Sequence, residues 1–344
     1  MSEKVLVGMS GGVDSSVAAK ILIDKGYSVA GLTLKLCESE NDTSVSDAKA
    51  VCQKLGIKHY VLDLKNEFNN FVVNDFVEQY KIGLTPNPCI VCNKYIKFGC
   101  MLEKALELGF DKIATGHYAR IEKSGEKYLL KKAKDISKDQ SYVLYNLTQE
   151  KLSKVLFPLG DYEKSEIREF AQNWGFINAQ RPDSQDICFV PDGDYASFIE
   201  KKDGFVSIAG DYLDVNGNII GKHKGVINYT LGQRKGLGIA LGKPQFVIDK
   251  NALKNTVILG DEEFLFKKNV AVDDLNFISG DFLQKEMIVT VKLRYKHTPA
   301  KAVLTFTDEQ KVNIEFFEPQ RAPSPGQSAV FYDGDYVIGG GRII

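Results

Sequence analysis

The chain has 344 residues, with 44 Lys and Arg against 45 Asp and Glu and 44% hydrophobic residues, a balance that excludes a disordered polyelectrolyte or a collagen-like repeat and reads as an ordinary globular protein. At roughly 150 residues per domain this length predicts two or three domains. No run approaches the roughly 18 apolar residues of a membrane span, and the N-terminus enters a strand-like run without a basic, apolar leader, so the sequence reads as cytoplasmic with no membrane partner.

Lys4 to Met9 reads as a buried strand, Asp14 to Lys25 as a helix and Tyr27 to Leu34 as a second strand, a βαβ unit that predicts a parallel sheet. The alternation continues with a helix at Ser46–Leu55, a strand at His59–Leu62, helices at Glu67–Gly83 and Cys92–Leu108, and a strand at Lys112–Thr115. Tyr142–Trp174 has helical period, and Arg181–Pro191 reads as a loop. After residue 204 the texture turns to short β-branched runs between glycines, and from Met287 onward it alternates polar and apolar as a small barrel does. The expected architecture is an α/β N-terminal doubly wound parallel sheet, a small β-rich central domain and a C-terminal β-barrel, over residues 1–203, 204–270 and 271–344.

The first strand-to-helix turn carries Gly8-Met9-Ser10-Gly11-Gly12-Val13-Asp14-Ser15-Ser16. Adjacent glycines let backbone amides approach a ligand, serines add donors, and a helix N-terminus favours negative charge, so phosphate is the natural guest. The Lys-Ser/Thr end of a Walker A loop is missing, and so is the dinucleotide G-x-G-x-x-G. A tight serine-capped turn is the plain structural alternative.

Six cysteines are too sparse for a disulfide scaffold. Cys89-Ile90-Val91-Cys92 follows two prolines and opens a helix, and the helix N-terminus with Lys94 nearby predicts a reactive Cys92 thiolate. Cys188 sits alone in Asp183–Phe189. Each of these cysteines could equally be a small buried apolar residue. Cys37, Cys52 and Cys100 lie in no motif and read as structural. With a net charge near zero, any nucleic-acid site must be a local basic patch; Gly232-Gln233-Arg234-Lys235-Gly236-Leu237-Gly238 reads either as such a contact or as a hairpin.

The SGGVDSS segment resembles the pyrophosphate-binding loop of the ATP pyrophosphatase superfamily. Together with TPNPCIVCNKYIKFG from Thr85, ATGHYAR from Ala114, KDQSYVLY from Lys138, DSQDICF from Asp183, YTLGQRKGLGI from Tyr229, LRY from Leu293 and PGQSAVFYDGD from Pro325, it resembles the bacterial tRNA-specific 2-thiouridylase family nearly end to end. The resemblance implies ATP-dependent 2-thiolation of the wobble uridine of tRNAs for Lys, Glu and Gln, with Mg²⁺. It also implies a sulfur donor protein, either a cysteine desulfurase or a sulfur-relay carrier. It places the ATP phosphates on Gly8, Ser10, Gly11, Gly12, Asp14 and Ser15, with Met9, Val13 and Ser16 in the same loop and Leu34 and Gly116 near the adenine and ribose. Catalysis falls to Asp14, Cys92 and Cys188, with Cys188 carrying a persulfide and Cys92 acting as nucleophile or disulfide partner. Contacts to tRNA fall to Asn87, Pro88, Cys89, His117, Lys138, Asp139, Gln140, Arg294, Tyr295 and Gln327.

One position departs from the pattern: well-known members carry Asp where this chain has Cys89. Cys89, Cys92 and Cys188 therefore form a three-thiol set that suits a [4Fe–4S] cluster with one open iron, an alternative to persulfide chemistry, while zinc would lack a fourth ligand. A small-molecule adenylating enzyme and a non-catalytic tRNA-binding protein are the rival classes. The first has no need of the three cysteines, and the second predicts no AMP formation.

Overall fold

The computed structural model describes residues 2–37, 43–180, 187–279, 286–308 and 310–344. The chain begins β1 (Lys4–Gly8), α1 (Val13–Asp24), β2 (Ser28–Lys35), α2 (Ser44–Leu55) and β3 (His59–Asp63), each close to its expected span. Val5, Leu6 and Val7 are wholly buried because β1 is central in a parallel sheet covered on both faces, which is why the strand reads as an unbroken apolar run.

Two helical arms follow. The first is α3 (Lys65–Phe68), a π-helical stretch (Asn69–Val73) and α4 (Asn74–Lys81); the second is α5 (Pro88–Cys92), a π-helical stretch (Asn93–Cys100) and α6 (Met101–Glu107). The second arm starts four residues before the expected Cys92, because the Cys89 amide donates to Asn87 Oδ1 at 3.1 Å and Pro88 fills the first helical position. After β4 (Lys112–Ala114) comes a hairpin absent from the sequence reading, β5 (Ala119–Ser124) and β6 (Lys127–Lys132).

The helical period over Tyr142–Trp174 is broken in the fold. A 3₁₀ turn (Ser141–Leu144) and α7 (Gln149–Ser153) lead to β7 (Val155–Leu156), and only then does α8 (Lys164–Asn173) form. The two residues of β7 complete the sheet edge by pairing with Ile113 and Ala114. Two residues cannot display a strand period, so their apolar character was absorbed into a helical pattern.

The five strands are parallel in the order β3-β2-β1-β4-β7. The order reverses between β1 and β4, which opens a crevice at their carboxyl ends, where Gly8–Ser16 and Thr115–His117 emerge. Beyond α9 (Tyr195–Asp203), a small sheet of β8 (Gly210–Leu213), β9 (Ile219–His223), β10 (Phe246–Asn251) and β11 (Thr256–Gly260) forms in the order β10-β11-β8-β9.

Six further strands, β12 (Phe266–Phe277), β13 (Glu286–Lys292), β14 (Ala300–Asp308), β15 (Lys311–Arg321), β16 (Ser328–Asp333) and β17 (Tyr336–Ile343), close into a barrel through the β12–β17 pairing, around Val272, Val291, Leu304, Ile314, Phe316 and Phe331. Strand β12 runs across the boundary expected between residues 270 and 271. Among the described residues no helix is long and apolar enough to cross a membrane.

The barrel is joined to the first sheet's domain in two places. Tyr336 of β17 pairs with Lys131 of β6, and Lys132 donates from its amide to Asp335 O at 2.9 Å and from Nζ to Gly334 O at 2.8 Å. On the other side, the Thr85 amide donates to Pro325 O at 2.8 Å and Gln327 Nε2 to Thr85 O at 2.7 Å. Gly326, at φ +90°, is pressed so close that a Cβ would lie 2.8 Å from the Thr85 nitrogen.

Candidate active site

The loop after β1 is a ring of short hydrogen bonds. Gly11 takes φ +73°, which its lack of a Cβ permits, and Gly12 caps α1 in extended conformation with no side chain over the helix end. Ser15 and Ser16 turn their hydroxyls back onto Gly12 O at 3.1 and 2.9 Å, while Ser10 N donates to Ser15 Oγ at 3.2 Å. Asn178 Nδ2 ties the outside of the loop to Gly11 O at 2.8 Å and Ser16 Oγ at 3.0 Å. The first amides of α1 are thereby left facing the crevice, the arrangement that binds phosphate.

Asp14 is held from two sides. Lys164 Nζ donates to its two carboxylate oxygens at 2.7 and 2.9 Å, and Tyr118 OH donates to Oδ1 at 2.8 Å. The lysine side chain is 9% exposed and the Asp14 side chain 31%. Across the crevice, a Cβ at Gly116 would come within 3.0 Å of Asp14 and of the Ser15 nitrogen, so only glycine lets β4's exit approach the loop this closely. Leu34, expected near the adenine, lies at the carboxyl end of β2 and packs with Cys92 and Leu62.

All six cysteines are thiols. Cys92 is 8% exposed and sits at the end of α5, where burial, with Cys89 adding and Lys97 opposing, pushes its thiol up. The expectation of a Cys92 thiolate favoured by a helix N-terminus and Lys94 is therefore corrected. The residue in the first turn is Cys89, which is exposed, and Lys94 instead faces Asp274 at 3.8 Å and the Tyr95 ring.

Cys188 is exposed, yet the protein atoms around it, then the charges of Cys92, Cys89 and Cys37, push its thiol up to about 12. The two cysteine-bearing segments thus meet, with Lys97 the cation that opposes the shift at both Cys92 and Cys188. Phe189 stacks edge-on to Phe68 and Phe76, which brings Cys188 to the helix arm beside Cys92. The rest of the expected motif, Asp183–Asp186, and residues 181–182 of the expected loop lie outside the described residues. Among the described residues no three His, Cys, Asp or Glu side chains are gathered to hold a metal ion.

Several expected RNA contacts have other partners. His117 is buried between Phe98 and Phe157, its Nδ1 lies 2.7 Å from Thr115 Oγ1, and burial holds it neutral, well below the usual histidine range. Asp139 is buried and accepts from the Ala133 and Ser141 amides and from Ser141 Oγ, while Gln140 Oε1 accepts the Tyr118 amide at 2.9 Å. His117 and Asp139 are corrections in that their side chains are enclosed, and Gln327 spends its amide on Thr85.

Lys138 is half-buried. Arg294 is exposed, and Tyr295 packs edge-on to Tyr142 under Lys292. Arg234 and Lys235 are exposed on a glycine-rich loop that has no paired strands. Tyr118, Lys164 and Asn178 were missed. Each acts on a residue more than 100 positions away, and no local spacing signals that.

A parallel sheet whose switch point carries a glycine-serine loop at a helix N-terminus defines a nucleotide-binding α/β domain, here followed by two β modules. A family profile described as tRNA methyl transferase HUP domain matches residues 3–192, one described as tRNA methyl transferase PRC-barrel domain matches 197–261, and one described as aminomethyltransferase beta-barrel domain matches 267–343. The tRNA-specific 2-thiouridylase MnmA of Clostridioides difficile is 50% identical, covering 100% of this chain and 98% of that protein. Its namesakes in Acetivibrio thermocellus and Treponema denticola are also 50% identical, each covering 99% of this chain and respectively 99% and 97% of their own. The chain belongs to the tRNA-specific 2-thiouridylase family.

Proposed function

We propose that this protein is an ATP-dependent tRNA sulfurtransferase that converts the wobble uridine to 2-thiouridine. The observation that carries the reading is the placement of Cys89, Cys92 and Cys188 at the same carboxyl edge of the sheet as the Gly8–Ser16 loop. A phosphate-binding loop alone serves many adenylating enzymes; thiols beside it serve sulfur transfer.

The α1 amides and the Ser10 and Ser15 hydroxyls hold the phosphates, with Asp14 positioned by Lys164 and Tyr118 to orient the nucleotide and its Mg²⁺. The uridine C2 oxygen attacks the α-phosphate and pyrophosphate leaves. A sulfur carried by a thiol of the site then attacks C2, and AMP departs with the oxygen. C2 must reach both groups, so the base is flipped out of its stack. Arg294 and Tyr295, on the barrel face near Tyr142, supply a phosphate contact and a stacking ring. Asn87, Pro88 and Lys138 line the approach to the cysteines.

The sulfur source is a donor protein. The three-thiol set favours an iron–sulfur alternative only through its convergence on Cys188. The thiols are not gathered as ligands, so no step is routed through a cluster.

The test is nucleoside mass spectrometry of unmodified tRNA incubated anaerobically with enzyme, ATP, Mg²⁺ and sulfide, with and without prior iron and sulfide reconstitution. Appearance of 2-thiouridine with equimolar AMP supports the reading, and dependence on iron moves the three cysteines to cluster ligands. Pyrophosphate release that ignores tRNA identifies a small-molecule adenylating enzyme instead.

A further inference from the structure

Cys37 has no motif around it, yet the structure does not leave it apart. It is exposed two residues beyond the end of β2. Its neighbour Leu36 packs into one apolar cluster with Cys92, Val91 and Phe189, and Phe189 is the neighbour of Cys188. Cys37 and Cys188 are thus each one residue from a shared patch of core, and both open to solvent over the buried Cys92. Cys188 also senses the charge of Cys37 directly.

The arrangement raises a problem of loading. A thiol held protonated near neutral pH reacts slowly with an external sulfur donor, because the thiolate is the nucleophile. Cys188 is such a thiol, pushed up to about 12 by burial and by its neighbours. Cys92 is enclosed behind it.

Resting on the sulfurtransferase reading above, we propose that Cys37 is the entry thiol of the site, taking sulfane sulfur from a protein or small-molecule persulfide and passing it to Cys188. In the first exchange the Cys37 thiolate bonds to the terminal sulfur of the donor persulfide, the donor S–S bond breaks, and the donor leaves as its thiolate. In the second, the Cys188 thiolate bonds to that same sulfur, the new S–S bond at Cys37 breaks, and Cys37 recovers its thiolate. The proton lost by Cys188 on ionising is taken up by the departing donor thiolate. One S–S bond forms for each that breaks, so no oxidant or reductant is consumed.

The test uses the full-length enzyme, glutathione persulfide as the donor, and anaerobic alkylation with peptide mass spectrometry over a time course. In Cys188→Ser, sulfane sulfur should accumulate on Cys37. In Cys37→Ser, loading of Cys188 should slow roughly tenfold or more, the size expected when a largely protonated thiol must react unaided. Cys100→Ser, a cysteine with no part in the exchange, should load as the unmodified enzyme does.

Because Cys37 is exposed, its replacement by serine leaves the core intact, and an unchanged melting temperature checks this. Loading of Cys188 at the normal rate in Cys37→Ser, or absence of sulfane sulfur on Cys37 in Cys188→Ser, overturns the proposal. The two readings fail separately. Exchange without any transfer to tRNA removes the sulfurtransferase function while keeping the entry thiol, and thiolation with normal Cys37→Ser loading removes the entry thiol alone.

Discussion

Lys164, at the start of α8, grips both carboxylate oxygens of Asp14, a residue 150 positions earlier in the nucleotide loop. A single ammonium thereby fixes the rotamer of an acid that would otherwise swing in the crevice. Lys164→Met should cost about 1–3 kcal/mol by leaving the carboxylate with only the Tyr118 hydroxyl, the lower end being expected because Asp14 is partly solvated. Urea unfolding measures this, and pyrophosphate release should fall with it. Combining Lys164→Met with Asp14→Asn should be markedly less than additive; additive losses would mean the pair does not act as a unit.

Gly116→Ala tests the approach of β4's exit to the loop. The added methyl meets backbone on the far side, at 3.0 Å from the Ser15 nitrogen, and backbone cannot step aside as a side chain can. We expect the fold to persist and ATP-dependent turnover to drop on the order of 100-fold, the cost of displacing a binding loop by a fraction of an ångström to one ångström. Calorimetric titration with ATP reads the effect directly, and normal affinity would refute it.

The two arms of the Cys-x-x-Cys segment should react differently. Iodoacetamide at neutral pH should label Cys89 well ahead of Cys92, roughly tenfold or more, because one is exposed in the first turn and the other is buried and hard to ionise. Denaturant should erase the difference. Equal rates in the native protein would return Cys92 to the surface role its sequence context suggests.

His117 makes stability depend on pH. Folded, it stays neutral well below the ordinary histidine range; unfolded, it takes a proton near about pH 6.5. The unfolded state therefore binds more protons in the window below pH 6.5, and stability that is complete above it is lost as pH falls, by about 1.4 kcal/mol per unit for a group that remains neutral. His297, pushed down to about 4 mainly by burial, adds in the same direction but is partly solvated. Urea midpoints at about pH 7, 6 and 5 should fall in turn, and His117→Gln should flatten the trend.

How much of this was legible in the sequence depends on how far apart the partners lie. The β1–α1–β2 unit and the Gly8–Ser16 loop could be read because apolar period, glycine placement and helix start all lie within some thirty residues. The β7 strand could not, since its identity comes only from the edge of β4. Tyr118, Lys164 and Asn178 were invisible for the same reason.

His117 and Asp139 sit in motifs that read as RNA contacts, but burial is decided by what packs around a residue: Phe98 and Phe157 in one case, Ser141 and Ala133 in the other. The Cys92 expectation went astray by four residues of helix start, enough to exchange the exposed thiol for the enclosed one.

The hairpin of β5 and β6 leaves the first domain and is finished by β17, about two hundred residues later. On a ribosome, the nucleotide-binding sheet can form early while this hairpin waits with one edge unpaired. The same late strand also closes the barrel against β12. Sequence-distant pairing of this kind is slow and leaves strand edges exposed meanwhile. One strand near the end of synthesis therefore acts as the closing stitch for two modules at once, so premature termination before Tyr336 would leave both open and aggregation-prone, however complete the catalytic residues already are.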